Sequence, residues 1–333
     1  MAESRFLVLR LGSLGDIVHT FPAVSALRET FPQADIVWLT HPRWKQLVES
    51  SGLASQVWAI ETRSVASLRK IIETLRASSW EAAIDYQGLW KSAGLAFFGG
   101  IRRRIGFSSE TIREFGVPIL YSDRVRCQAT HIADQNGELS LRAGARRAVA
   151  PFRLQVPRQD DCGIRDYLSS LGLQRYAVLS PGGGWRSKCW PADRFGKLCA
   201  MIRESLGLRC VVNFGPGEDD LALAVRESSG GADPVPYNGP LGPLMALLRN
   251  AACIVGGDTG PLHLAIALGV RAVAIYGPTD PARNGPYQSE SIVLRASGAV
   301  RTHRRVNETH PSMLKIETGE VFEAVRRIVG AAA

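Results

Sequence analysis

The sequence predicts two α/β domains in tandem, each of the Rossmann type with a parallel sheet. The chain has 333 residues, of which 45% are hydrophobic, so it can bury two cores and does not have the composition of a disordered chain. Strand-like runs alternate with helical stretches, as in parallel βαβ units. The alternation pauses at the proline-containing stretch 148–158 and then restarts. We therefore expect domains at 1–155 and 156–333 that face each other across a central cleft.

In the first half, four strands alternate with three helices. The predicted strands are Arg5–Leu11, Ile36–Thr40, Gln56–Ile60 and Ala82–Tyr86, and the predicted helices lie around Phe21–Thr30, Ser64–Arg76 and Gly88–Phe98.

The second half repeats the pattern. Its clearest helix has apolar residues at i, i+3, i+4, i+7 and i+11, which line one face of a helix; they are Phe195, Leu198, Cys199, Ile202 and Leu206. The predicted strands are Tyr176–Ser180, Cys210–Phe214, Cys253–Gly256 and Ala272–Tyr276, and further helices are predicted at Leu241–Asn250 and Leu262–Leu268. A last helix is expected at Gly319–Val329, with Thr318 as its N-cap, and we allow for its packing back on the N-terminal domain.

Charge and cysteine usage restrict the partners and the compartment. The formal charge is +9, and 34 of the 40 basic residues are arginine. Arginine suits bidentate binding of phosphate and carboxylate, so the charge predicts anionic partners, or simply an arginine-rich surface. The six cysteines form no C-x-x-C pair, which favours a reducing, cytoplasmic setting over disulfides or zinc. No signal segment and no apolar run of about 20 residues is found.

The first candidate segment, residues 10–20, follows the first strand directly. Gly12 and Gly15 permit a tight turn, and Asp16 stands where a carboxylate could act as general base. The fingerprint G-x-G-x-x-G is absent, which disfavours a nicotinamide or flavin domain. An equally open interpretation is a βα turn in which Asp16 caps the helix.

The second segment, residues 180–191, places three glycines after a strand and Lys188 four residues beyond them. Such a turn exposes backbone N–H groups to phosphate oxygens, and the lysine could neutralise a diphosphate. The spacing does not match the P-loop. A solvated loop lysine is the alternative.

The third segment, residues 255–265, is a strand, a glycine turn and a helix that opens at Pro261. The N–H groups of Thr259 and Gly260 would point at an anion at the helix N-terminus. A carboxylate would repel phosphate, so we expect Asp258 to face sugar hydroxyls. A helix cap with a core histidine at His263 is the alternative.

Two further segments end strands. Glu218 follows a strand of the second half, where an acid can bind ribose hydroxyls, or it is an exposed loop acid. Gln87 and Lys91 follow a strand of the first half and should face the cleft. The neighbouring arginines 102–104 are interpreted as a solvated face.

Together these segments resemble the bacterial lipopolysaccharide heptosyltransferases, the family 9 glycosyltransferases of the GT-B fold. The resemblance covers nearly the whole chain and rests on stretches 10–23, 181–195, 256–269 and 276–287, which occur in family order. The stretches 85–93 and 103–107 are similar to the branch that adds the first heptose to Kdo, the acidic sugar on lipid A.

The resemblance implies inverting transfer of L-glycero-D-manno-heptose from ADP-heptose to Kdo–lipid A, with no metal ligands and no obligatory cofactor. It implies Asp16 as the general base and Lys188 as the diphosphate-binding catalytic lysine. The donor residues that it implies are Gly15, Gly183, Gly184, Lys188, Glu218, Asp258, Thr259, Gly260 and His263. The acceptor residues that it implies are Ser13, Gln87, Lys91, Arg113 and His131.

The sequence departs from the family in two places. No cysteine occurs in 300–313, where many members have them, and Gly183 and Gly184 replace hydroxyl side chains that some members carry.

The alternatives kept open are a heptosyltransferase II-type enzyme, a transferase for another sugar nucleotide, a nucleic-acid-binding protein and a dehydrogenase. The last two are disfavoured by the scattered aromatics and the missing fingerprint. The arginine excess is assigned to an acidic glycolipid and to the cytoplasmic face of the inner membrane that carries it.

Overall fold

A computed structural model describes residues 4–112, 114–302 and 308–330. The chain divides into two compact units, Met1–Gln155 and Val156–Ala333. Each unit contains a six-stranded sheet whose described strand pairs are all parallel. The predicted α/β class with two Rossmann-like units is therefore confirmed.

The first unit alternates strands and helices along the chain. Its elements are β1 (Arg5–Leu9), α1 (Leu14–Val18), α2 (Phe21–Thr30), β2 (Asp35–Thr40), α3 (Lys45–Ser50), β3 (Gln56–Ala59), α4 (Val65–Arg76), β4 (Ala82–Asp85), α5 (Trp90–Phe98), β5 (Arg104–Phe107), β6 (Asp123–Val125) and α6 (Ile132–Ala143). The strand order is β3-β2-β1-β4-β5-β6.

The second unit follows the same plan. Its elements are α7 (Arg158–Ser170), β7 (Tyr176–Ser180), α8 (Ala192–Leu206), β8 (Arg209–Asn213), α9 (Asp219–Glu227), β9 (Val235–Tyr237), α10 (Leu241–Arg249), β10 (Cys253–Gly257), α11 (Gly260–Ala267), β11 (Ala272–Tyr276), α12 (Pro281–Asn284), β12 (Ile292–Arg295), α13 (Pro311–Leu314) and α14 (Thr318–Gly330). The strand order β12-β11-β10-β7-β8-β9 has the same connectivity as the first sheet.

Continuous apolar runs explain the central strands. Residues 6–9 of β1, all of β7 and all of β10 are buried, as expected of strands covered by helices on both faces. The strand order reverses direction next to β1 and next to β7. Ligands of such sheets bind outside the carboxyl ends of the strands at this reversal. The fold therefore predicts one site after β1 and β4, and another after β7 and β10.

The C-terminal helix belongs to the second unit. Six of its apolar residues lie in the core that contains β7, β8, β10 and β11; they are Val321, Phe322, Ala324, Val325, Ile328 and Val329. The helix packs against α8 and β11. Its apolar face is thus buried within the second unit.

The sequence-based boundaries differ from the structure mainly at turns. The first strand ends at Leu9, before the Gly12 turn, and α5 begins at Trp90. The arginine run 102–104 is not simply a solvated face, because Arg104 opens β5. Its guanidinium donates to the Leu120 carbonyl at 2.6 Å. The elements that were not predicted are strands β5, β6, β9 and β12 and helices α3, α6, α7, α9, α12 and α13, since most are short or weakly patterned.

Candidate active site

Asp16 lies in α1, at the carboxyl edge of the first sheet. Its Oδ1 accepts an ion-paired contact from Arg10 Nη2 at 2.8 Å, and the guanidinium of Arg10 is buried whereas the Asp16 side chain is 46% exposed. Its Oδ2 accepts from the Ser13 N–H at 3.1 Å and from Ser13 Oγ at 3.0 Å. The carboxylate therefore caps the helix and is also held in place at the exposed edge of the sheet. Both interpretations of Asp16, as a cap and as an accessible carboxylate, describe the same geometry.

Gln87 fixes the turn that leads to Asp16. Its Oε1 accepts from the N–H of Leu11 at 3.0 Å and of Gly12 at 3.3 Å. Arg10 also connects the segment after β1 to the segment after β4, since its Nη1 donates to the Tyr86 carbonyl. The sequence predicted Gln87 as an acceptor ligand. The structure shows that its side-chain oxygen also holds the turn after β1, and the acceptor role stays a prediction.

A buried carboxylate, Asp85, holds the turn that carries Gln87. Its Oδ1 accepts from the N–H groups of Gln87 and Gly88 at 2.9 and 3.1 Å, and its Oδ2 accepts from Ser92 Oγ and Tyr121 OH at 2.8 and 2.7 Å. Complete burial raises the pKa of Asp85, and these hydrogen bonds oppose that rise. Sequence reasoning did not single out Asp85, although an acid at the last position of a buried strand was a usable signal.

The other predicted acceptor residues are distributed around this edge. Ser13 orients Asp16, and Lys91 is exposed at the start of α5. His131 precedes α6, where its Nδ1 accepts from the Ala133 N–H at 3.2 Å. Its ring meets the ring of His19 edge-on at 5.3 Å, which brings α6 to the segment that contains Asp16. His19 was missed by sequence reasoning, although it is placed one helical turn after Asp16.

Arg113, the remaining predicted acceptor residue, lies outside the described residues. Gly15, predicted with the donor residues, is buried within α1 in the first unit.

In the second unit, Glu218 bridges the loops that follow β7 and β8. Its Oε1 accepts from the Gly183 N–H at 3.0 Å and its Oε2 accepts from the Gly215 N–H at 2.8 Å. A Cβ on Gly182 would lie 2.1 Å from Oε2, so any larger residue there would displace the Glu218 carboxylate. The carboxylate is half-buried rather than an exposed loop acid, and the N–H of Gly183 is already engaged. Gly184 is exposed at the tip of the same turn.

Lys188, Asp258 and His263 form a charged cluster at the carboxyl ends of β7 and β10. Lys188 Nζ donates to the Asp258 carbonyl and lies 3.7 Å from Asp258 Oδ2. His263 Nε2 lies 2.9 Å from Asp258 Oδ1. The ammonium is also 5.3 Å from the centre of the Trp185 ring. The ammonium of Lys188 is therefore fixed by contacts with Asp258 and is not a solvated loop lysine. The carboxylate oxygens of Asp258 face Lys188 and His263.

Thr259 and Gly260 begin α11 directly below this cluster. Eight residues of helix, with Pro261 in the first turn, direct the unpaired N–H groups of the N-terminus to the sheet edge. Among the described residues, the buried hydroxyls of Ser187, Thr259 and Thr279 at this edge have no hydrogen-bond partner. Native proteins rarely leave such groups unpaired, so a polar ligand is expected here. Sequence reasoning missed Ser187 and Thr279.

Burial also determines the chemistry of the nearby thiol. It raises the pKa of Cys189 to about 11, so the thiol is protonated near neutral pH and is a poor nucleophile.

In the described part of the chain no group of three or more His, Cys, Asp or Glu residues is arranged to hold a metal ion. No helix in the same residues has the length and apolarity to cross a membrane.

Comparison with known proteins gives consistent matches. The family model for glycosyltransferase family 9 (heptosyltransferase) matches residues 68–312. Lipopolysaccharide heptosyltransferase 1 of Escherichia coli K12 is 27% identical over 88% of this chain and 93% of its own length. Lipopolysaccharide heptosyltransferase 3 of the same strain is 26% identical, with 95% of each chain covered. The structure of E. coli ADP-heptose lipopolysaccharide heptosyltransferase II superposes with a TM-score of 0.81 at 20% identity, covering 98% of this chain and 99% of that one.

Proposed function

The chain belongs to glycosyltransferase family 9, the heptosyltransferases, and from this premise we propose that it transfers L-glycero-D-manno-heptose from ADP-heptose to the Kdo of a lipid A precursor. It is a glycosyltransferase of lipopolysaccharide biosynthesis, which sets aside the nucleic-acid-binding and dehydrogenase alternatives.

The observation that carries the donor assignment is the Lys188–Asp258–His263 cluster above the N-terminus of α11. An ammonium, a helix N-terminus and unpaired hydroxyls converge on one sheet edge, which suits a diphosphate. Glu218 lies beside it with lone pairs left for the adenosine ribose. The turn at Gly183 and Gly184 borders the same place and offers backbone contacts. The E. coli protein of similar fold is an ADP-heptose lipopolysaccharide heptosyltransferase, which supports the choice of nucleotide.

The chemical step is a single displacement with inversion at the anomeric carbon. An acceptor hydroxyl attacks that carbon, its oxygen forms the new glycosidic bond, and the bond to the diphosphate breaks. Asp16 accepts the hydroxyl proton, and ADP leaves with the bonding electron pair. The buried Arg10 and the hydroxyl of Ser13 orient the carboxylate, and a general base must lie within hydrogen-bond reach of the proton that it accepts. Lys188 and the N–H groups of Thr259 and Gly260 stabilise the charge that develops on the diphosphate.

The acceptor is proposed to be an acidic glycolipid, Kdo–lipid A. Lys91, Arg113 and His131 are the cationic or ionisable residues assigned to it, with Ser13 beside the base. The protein works on the cytoplasmic face of the inner membrane, in peripheral contact with it, and needs neither a metal nor another obligatory cofactor. The type 1 and type 3 relatives are 27% and 26% identical, so the branch rests on the stretches 85–93 and 103–107.

A nucleotide panel tests the donor assignment. Thermal unfolding of the purified protein is measured with ADP, UDP and GDP at equal concentrations. ADP is expected to raise the Tm most, because a ligand that binds only the folded state stabilises it. ADP-heptose should then be consumed, with release of ADP, only when the Kdo–lipid A acceptor is present. A larger shift with UDP or GDP would instead assign the enzyme to another sugar nucleotide.

A further inference from the structure

Helix α5 is apolar on the side that faces solvent as well as on the side that faces the core. Its buried positions are Ser92, Ala93, Leu95 and Ala96. Its outward positions are Trp90, Lys91, Gly94, Phe97 and Phe98, and Phe98 is 56% exposed. A surface helix ordinarily carries polar residues on its outer side, so three outward aromatic rings require an explanation.

A neighbouring segment extends this apolar surface. Residues 114–120 pack beside α5, and there Phe115 is 99% exposed and Ile119 is 71% exposed. The Glu114 carboxylate accepts from the Trp90 N–H at 2.8 Å. A Cβ on Gly116 would lie 3.0 Å from the Trp90 ring, so the segment and the helix are in direct contact. We call Trp90, Phe97, Phe98, Phe115 and Ile119 the aromatic face.

The aromatic face gathers the exposed phenylalanine and tryptophan rings of the described chain. Every strongly exposed phenylalanine or tryptophan in the described residues belongs to it. Scattered exposed apolar residues are normal, whereas a contiguous group indicates a surface that another molecule covers.

Positive charge predominates in the stretch of sequence that holds the aromatic face. Residues 88–126 contain seven basic and three acidic side chains, a formal charge of +4 out of +9 for the whole chain. The Arg104 guanidinium lies over the Phe97 ring, 5.3 Å from its centre, and Arg102, Arg124 and Arg126 are exposed. Exposed rings with a cationic rim are complementary to a lipid surface of negative charge, where rings enter the interface and arginines meet the headgroups.

The aromatic face begins at the edge of the sheet that carries Asp16. Trp90 comes three residues after Gln87, whose Oε1 binds the turn at Leu11 and Gly12. From there α5 extends over nine residues, about 13 Å. A surface covering this helix would therefore bring its headgroups to the edge where Asp16 is exposed.

We infer that the aromatic face docks on an anionic bilayer. The inference rests on the proposed function and deepens it, because it names the surface by which the enzyme reaches an acceptor embedded in lipid. The rings of Trp90, Phe98 and Phe115 enter the headgroup boundary, and the arginines around them bind the anionic lipid.

Vesicle sedimentation tests this docking. The full chain is mixed with vesicles of phosphatidylcholine alone or with added phosphatidylglycerol. We expect binding to the anionic vesicles that weakens with added salt. The double variant Phe98→Asn/Phe115→Asn is expected to bind about tenfold more weakly, since two exposed rings no longer enter the interface. The variant Arg102→Gln/Arg126→Gln should lose most of the preference for anionic vesicles.

Matched controls separate docking from misfolding. Val65 and Leu223 are also exposed apolar residues, 67% and 54%, away from the aromatic face, and Val65→Asn/Leu223→Asn should bind vesicles like the unchanged protein. All variants are first shown to unfold at similar temperatures. Vesicle binding that is absent, or unaffected by the ring variant, overturns the inference. A ring variant that instead converts a dimer to a monomer would assign the surface to a second copy and also overturn it.

Activity measurements distinguish this inference from the proposed function. The ring variant should transfer heptose to a deacylated, water-soluble Kdo acceptor at the unchanged rate, and about tenfold more slowly to the acylated acceptor in vesicles. Equal losses on both acceptors contradict docking. A protein that transfers to neither acceptor refutes the proposed function, while the sedimentation result still decides whether the aromatic face binds lipid.

Discussion

Replacing Gln87 by alanine should slow turnover without weakening acceptor binding. The Oε1 of Gln87 accepts two N–H groups of the turn before Asp16, at 3.0 and 3.3 Å. Each hydrogen bond of this kind contributes roughly 0.5–1.5 kcal/mol. Their loss therefore lowers the equilibrium constant between the ordered and the disordered turn by about fivefold to about 150-fold. Because Asp16 is productive only when the turn is ordered, kcat is expected to fall by up to that factor.

Steady-state kinetics on Gln87→Ala and Gln87→Glu provide the test. The glutamate variant keeps an accepting oxygen, so it should restore most of kcat, provided that its thermal unfolding resembles that of the parent. An amide that bound the acidic acceptor directly would behave differently. The alanine variant would then raise the acceptor KM with kcat unchanged, and glutamate would raise it further by charge repulsion. That pattern would refute the positioning role and restore Gln87 as an acceptor ligand.

Three further substitutions test the remaining roles. Asp16→Asn should reduce kcat roughly a hundredfold to ten-thousandfold by removing the base, while calorimetric ADP affinity is unchanged; near-normal turnover would exclude Asp16 as the base. Lys188→Met should weaken ADP binding about tenfold to a hundredfold by removing a charged donor, and an unaltered Kd would reject that role. Glu218→Ala should weaken ADP binding more than Glu218→Gln, which keeps one acceptor for Gly183 or Gly215. If both variants bound ADP as tightly as the unchanged protein, the carboxylate would contribute nothing to the site.

The central strands and long helices follow from the sequence because their signals are local. Residues of β1, β7 and β10 are apolar and buried, and α2 occupies the predicted residues Phe21–Thr30. The strands β5 and β6 do not follow, because they are four and three residues long. Arg104 opens the first of them, and its guanidinium donates to the carbonyl of Leu120, more than ten residues away in the sequence.

Candidate residues could be predicted from their place after strands, but their partners could not. The glycine turns and acids at 16, 218 and 258 occur where strands end, so they were visible. That Glu218 would engage Gly183, or that Asp258 would meet both Lys188 and His263, depends on which strands are neighbours. Pairing of β7 with β8 places the Glu218 loop beside Gly183, and pairing of β7 with β10 across more than seventy residues places Asp258 beside Lys188. Sequence patterns of single elements carry no such information.

A competition between acceptors tests the central claim most directly. The purified protein is given ADP-heptose together with heptose-less Kdo–lipid A and an already heptosylated core, and each product is identified by mass spectrometry. The account predicts a single heptose added to the Kdo–lipid A acceptor, with inverted anomeric configuration, and none of this product with the Asp16→Asn variant. Heptose found only on the already heptosylated core would contradict the acceptor assignment, and transfer to neither acceptor would contradict the proposed reaction.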